Sequence, residues 1–204
     1  MADPTDTHEA LMQALMRPEI WPDQAPQLQR IDTLISTVIL AGRHAYKFKK
    51  PVNLGFVDFS TLAKRRHYCA EEVRLDSRLA PRLYEGVVAV EGGMAQPRFS
   101  AHPTGAVLDW AVQMRRFDPG AVLVQAPGAL SRGLMEKLAA RLATFHAGAA
   151  VCPADEPYGA PDAVISPMEQ NFSQIRSQRG SDRALLDGLM DWTEQHFDDN
   201  YPRL

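Results

Sequence analysis

Near Met114 the apolar pattern of the chain changes period, and this change limits the folds open to it. Before that point apolar residues gather in short runs bounded by glycine and proline; after Phe117 they recur every three or four residues. The order reads as α+β, with strands first and helices after. A short amphipathic helix opens the chain, with Thr7 as its cap, Leu11, Met12, Leu15 and Met16 at helical spacing, and Pro18 ending it. Leu34 to Leu40 and His44 to Lys49 read as two strands joined by a tight turn at Gly42. Asp58-Phe59-Ser60 caps a long helix running to about Leu79, where Ala80-Pro81 interrupts it. Two more strands follow, Gly86 to Val90 and Val107 to Met114, separated by glycines and by proline-bearing segments at Pro97 and Pro103.

The second half predicts helices from Ser131 to Ala150, from a capping box at Ser166-Pro167-Met168-Glu169, and from Ser181 to about Phe197 with Leu185, Leu189 and Trp192 inward. Three segments result: a terminal helix over 1–20, a strand-rich segment over 21–117 and a helical segment over 118–204. The net charge of −3 and pI near 6.1 supply no overall basic field for nucleic acid or an anionic membrane, so a small molecule is the expected partner. No stretch approaches the ~20 apolar residues of a membrane span, and the acidic start MADPTDTHEA is unlike a secretion signal; the expected location is cytoplasmic. Cys69 and Cys152 belong to no metal or redox motif and are expected to be reduced and structural.

Three stretches carry more specific information. Ala45-Tyr46-Lys47 lies on a strand, Glu71-Glu72-Val73-Arg74-Leu75 lies on the helix that follows, and Val112-Gln113-Met114-Arg115-Arg116-Phe117 joins strands to helices. With Ala140-Arg141-Leu142-Ala143-Thr144-Phe145-His146, the run from about position 27 to 200 resembles the aminoglycoside-phosphotransferase-like family of small-molecule kinases, some of which carry a second kinase domain downstream. The resemblance implies a protein-kinase-like fold: an antiparallel-sheet ATP lobe with one long helix, then an incomplete helical lobe. It implies ATP as the nucleotide, with magnesium expected only in the complete protein, and a small-molecule hydroxyl as acceptor.

Within that expectation Lys47 is the phosphate ligand, because a strand side chain holds an ammonium against anionic oxygens while a nearby carboxylate fixes its direction. Glu72 suits the second role: on a helix it shares a face with Cys69, Leu75 and Leu79, whereas Glu71 points to solvent. The competing readings are a solvated basic strand end at Lys47, Lys49 and Lys50 and a surface acid beside Arg74. The first strand turn, Asp32 to Thr37, has no glycine, so Thr33 and Ser36 either donate to phosphate or satisfy the turn. Met114 and Arg115 fall where such kinases offer backbone groups to the adenine edge.

No catalytic or metal-binding residue is assigned. The one His-x-Asp, His196-Phe197-Asp198, has Arg203 five residues after the Asp where the family has Asn, and it ends an amphipathic helix. The helical segment therefore reads as the start of a lobe, stopping before the catalytic loop, and the chain is expected to be inactive alone. Its uncovered apolar helix faces are surfaces for further chain or for self-association. Two other classes remain open: a non-catalytic nucleotide- or protein-binding module, and an α+β interaction domain whose lysine and glutamate form a structural ion pair.

Overall fold

The computed structural model describes residues 4–21, 27–153, 156–178, 180 and 182–200, and the expected helix start at Ser181 lies outside them. The chain divides into two compact units, Met1–Ala139 and Ala140–Leu204. Among the described residues it is a mixed α+β protein with one six-stranded antiparallel sheet and five α-helices.

The sheet forms the first unit from β1 (Leu28–Asp32), β2 (Ser36–Ala41), β3 (His44–Lys49), β4 (Tyr84–Gly93), β5 (Gln96–Ser100) and β6 (Val107–Arg115), in the order β1-β2-β3-β6-β4-β5. The expected hairpin is present as β2 and β3, turning at Gly42 with φ of 55°, a conformation open to a residue without Cβ. The sequence reading lacked β5 because Pro97 marked a break. A proline is tolerated there because β5 is the edge strand and pairs only with β4.

Each face of the sheet is covered by one helix. Ile39, Tyr46, Phe48, Val88, Val90 and Ala111 alternate onto one face and pack with Leu11, Met12 and Leu15 of α1 (Pro4–Leu15). Helix α1 begins at Pro4, so Thr7 lies within it rather than capping it. Trp21 closes this core, its Nε1–H donating to the Leu15 carbonyl at 2.8 Å and its ring packing at a tilt against Tyr46 and Phe99. The opposite face presents Ala89, Trp110 and Val112 to Cys69 of α2 (Leu62–Asp76). The cap of α2 is Thr61, whose Oγ1 accepts from the Lys64 N–H at 3.2 Å, and not the Asp58–Ser60 run. Asp58 instead accepts from the backbone and hydroxyl of Ser60. The helix ends at Asp76, short of Leu79, as Ser77 caps it and a series of turns leads to β4.

Two short 3₁₀ turns, Pro119–Ala121 and Pro127–Ala129, follow β6 before α3 (Arg132–Ala147), the helix expected from Ser131 to Ala150. The division between units falls within α3. In the second unit α4 (Pro161–Ser177) packs on α5 (Arg183–Asn200), with an Arg176–Asp187 ion pair between them. Helix α4 starts at Pro161 rather than at Pro167. Pro161 already occupies the first helical position, and the Val164 N–H bonds the Ala160 carbonyl, so the first turn is closed before the apparent capping box is reached. Leu186 is the buried residue of α5, whereas Leu185, Leu189 and Trp192 are exposed, which reverses the expected inward face. No helix among the described residues is long and apolar enough to cross a membrane.

Candidate functional site

Strand alternation builds the site on the face of the sheet that carries α2. Val38 lies opposite Lys47 and Leu40 opposite Ala45 on β2 and β3, and Ala45 and Lys47 lie opposite Met114 and Val112 on β6. Directly opposed residues share a face, so these side chains form one surface. At its β1 end that surface opens into a cavity of about 530 Å³. Ile31, Val38, Leu40, Ala45 and Met114 form the sheet side, and Arg116, Phe117, Pro119, Gly120, Val122 and Gln125 come from the chain after β6. The walls are mainly apolar, as expected where a flat, weakly polar group is enclosed.

Beside the cavity the two predicted partners meet. The Lys47 ammonium donates to Oε1 of Glu72 at 2.9 Å, and a second lysine, Lys49, donates to Oε2 at 2.8 Å. Helix α2 aims Glu72 by two anchors on its N-terminal side. Arg65 Nε donates to Asp109 on β6 at 2.7 Å, and the buried Cys69 thiol donates to the Trp110 carbonyl at 3.8 Å. One turn beyond Cys69, Glu72 faces β3, although Leu75 and Leu79, expected on the same buried face, are exposed. Burial pushes the Glu72 carboxyl up, but the hydrogen bonds and charges of Lys49 and Lys47 outweigh it and hold the group below its ordinary value. Arg74 pairs with Glu71 on the surface, which removes it as a competitor for Glu72.

The three lysines of β3 and its exit take three environments. Lys47 is partly exposed toward the site, with a side-chain accessibility of 32%, whereas that of Lys49 is 7% and its ammonium lies 4.9 Å from the centre of the Phe59 ring. Lys50 turns away to hold the β1–β2 turn, donating to the Thr33 carbonyl at 2.7 Å. In that turn the Thr33 hydroxyl donates to the Ser36 carbonyl and accepts from the Ser36 N–H, both at 3.0 Å. These bonds commit the Thr33 hydroxyl to the turn, and Ser36 is buried. Asp32 closes the same turn; hydrogen bonds from Arg30 first, then from Thr37 and Lys50, hold its carboxyl far below the usual range.

Met114 lines the cavity, as its register opposite Ala45 requires. Arg115 does not: its N–H donates to the Leu83 carbonyl at 2.8 Å and its guanidinium to Glu85 at 3.1 Å. The next residue, Arg116, reaches the cavity instead. His196 and Asp198 lie within α5, where the His196 ring stacks on Trp192 and its Nδ1 lies 3.1 Å from the Trp192 carbonyl. Sequence reasoning did not single out Lys49 as a site residue, nor Val38, Leu40 and Phe117. The two-residue period from Lys47 was the available signal for Lys49; the Phe59 contact comes from the irregular segment between β3 and α2 and has no sequence signature.

The two cysteines differ. Cys69 is fully buried and its thiol is pushed up to about 12 by burial, whereas Cys152 is exposed and so is not the structural residue expected. Titration with a disulfide reagent at pH 8 is expected to release one equivalent from the native chain, Cys152, and a second only on denaturation.

No family model matches the chain, and no solved structure matches it. It is similar to uncharacterized proteins of Mycobacterium bovis and Mycobacterium tuberculosis, each 31% identical over 147 residues, or 71% of this chain and 28% of the relative. The chain thus corresponds to about 28% of the length of these curated relatives.

Proposed function

We propose that the first unit is a nucleotide-binding lobe of the protein-kinase-like type, the ATP-holding front portion of a phosphotransferase similar to the aminoglycoside phosphotransferases. The observation that carries this reading is the pairing of an anchored lysine with an adjoining apolar cavity. Ala45 lines the cavity, Lys47 follows on the same face of the same strand, and Glu72 from the intervening helix holds the Lys47 ammonium at 2.9 Å. An apolar slot suits a purine ring, and a directed ammonium beside it suits the phosphates that the base carries. The strand, lysine strand, helix, strand order agrees with the layout of such a lobe.

In the complete protein the ATP γ-phosphoryl group would pass to a hydroxyl of a small molecule. Turnover by this chain alone is not expected, because its single His-x-Asp is inside α5 and not in a loop that could present the Asp to an acceptor. Among the described residues no cluster of His, Cys, Asp or Glu is arranged to hold a metal ion, so no step is assigned to magnesium here. Calorimetric titration of the chain with ATP tests the reading. One site per chain is expected, with adenosine binding the same site more weakly; no heat from either ligand, on a chain folded by circular dichroism, would overturn it.

A further inference from the structure

The second lysine on Glu72 assigns a division of labour. We propose that Lys49 is the standing counter-ion of Glu72 and a positioning residue for Lys47, leaving the Lys47 charge uncancelled for a polyphosphate group; this rests on the nucleotide-binding reading.

A single lysine and glutamate form a neutral pair, and an incoming phosphate must compete with the carboxylate for the ammonium. Here each carboxylate oxygen has its own donor, Lys47 on Oε1 and Lys49 on Oε2. The group of three carries a net charge of +1. Its two ammoniums are not equivalent. Lys49 is the more enclosed, with the Phe59 ring beside its ammonium, so its exchange to a ligand in solution is obstructed. Lys47 keeps a third of its side-chain surface open and lies opposite Val38 on the cavity wall. When Lys47 turns to an anion, Glu72 retains one charged partner and is not left buried and unpaired, the arrangement that costs most. The ligand chemistry that this favours is a multiply charged phosphate chain attached to a flat base.

The test titrates inorganic tripolyphosphate, ATP and adenosine into the wild-type chain, Lys49→Met and the double variant Lys49→Met/Glu72→Gln. Lys49→Met removes the spare charge and is expected to weaken tripolyphosphate and ATP on the order of tenfold, with adenosine unchanged. The double variant returns the site to +1 and is expected to recover affinity to within about threefold of wild type. A role confined to packing predicts no such recovery and an equal loss for adenosine. The proposal is overturned if Lys49→Met binds ATP like wild type, if adenosine weakens in parallel, or if the double variant fails to recover. Should Lys49→Met alone unfold, the double variant decides: near-wild-type tripolyphosphate affinity supports the assignment, and lost affinity overturns it. Wild-type chain that takes tripolyphosphate but neither ATP nor adenosine would remove the nucleotide reading while the two variants still judge Lys49. Binding of none of the three ligands would remove both.

Discussion

Replacing Glu72 with alanine is expected to destabilise the sheet unit by about 3 kcal/mol, the scale for removing one partner of a buried ion pair. The carboxylate is the acceptor of both Lys47 and Lys49, and Lys49 is buried with an aromatic ring beside its ammonium. Without Glu72 two like charges remain close together with no acceptor between them, and one of them cannot reach water without opening the packing around Phe59. Urea denaturation at neutral pH measures the loss. Glu71→Ala is the control, because its pair with Arg74 is on the surface, and it is expected to leave the midpoint unchanged. The Glu72 effect also has a defined pH dependence. Its carboxyl in the folded chain titrates below its ordinary value of 4.5, so its stabilisation is complete above that pH and is lost as pH falls through the folded-state value. The gap between wild type and Glu72→Ala should therefore narrow in acid. A gap that widens below pH 4.5, or no gap at neutral pH, would contradict the ion-pair account.

Ala45→Phe is expected to weaken ATP binding on the order of 100-fold, about 2.7 kcal/mol, by filling the space assigned to the base. Ala45 lies between Leu40 and Met114 on neighbouring strands, and all three line the cavity. Its small side chain leaves that floor open. Phenylalanine suits a strand, and the cavity of about 530 Å³ has room for its ring, so the unfolding midpoint should move little while affinity falls. Calorimetry of the variant beside wild type checks this. Affinity within twofold of wild type would place any bound nucleotide elsewhere.

The parts of the fold that were legible in the sequence depend on local period. Alternation gave the β2–β3 hairpin, and the same two-residue count put Ala45 and Lys47 on one face. The inward turn of Glu72 was legible from its spacing to Cys69, yet Leu75 and Leu79, used in the same argument, are exposed. Helix starts were misplaced where two proline or capping signals compete, as at Pro161 and Pro167. Strand β5 was hidden because a proline that breaks an inner strand is harmless at an edge. The inner face of α5 was misjudged by one residue, from Leu186 to Leu185, and on a helix that step turns a side chain by a quarter of the circumference. The cavity's outer wall was not legible because residues 117–125 are irregular, and only the folded chain returns Phe117, Pro119 and Val122 to the sheet.

The most direct test of the account is mapping of backbone amide shifts in the full chain during titration with ATP. Saturable shifts are expected at Val38, Ala45, Lys47 and Met114, where the cavity adjoins the lysine pair. Saturable shifts confined to α4 and α5, or none at saturating ATP, would contradict the assignment of a nucleotide site to this sheet.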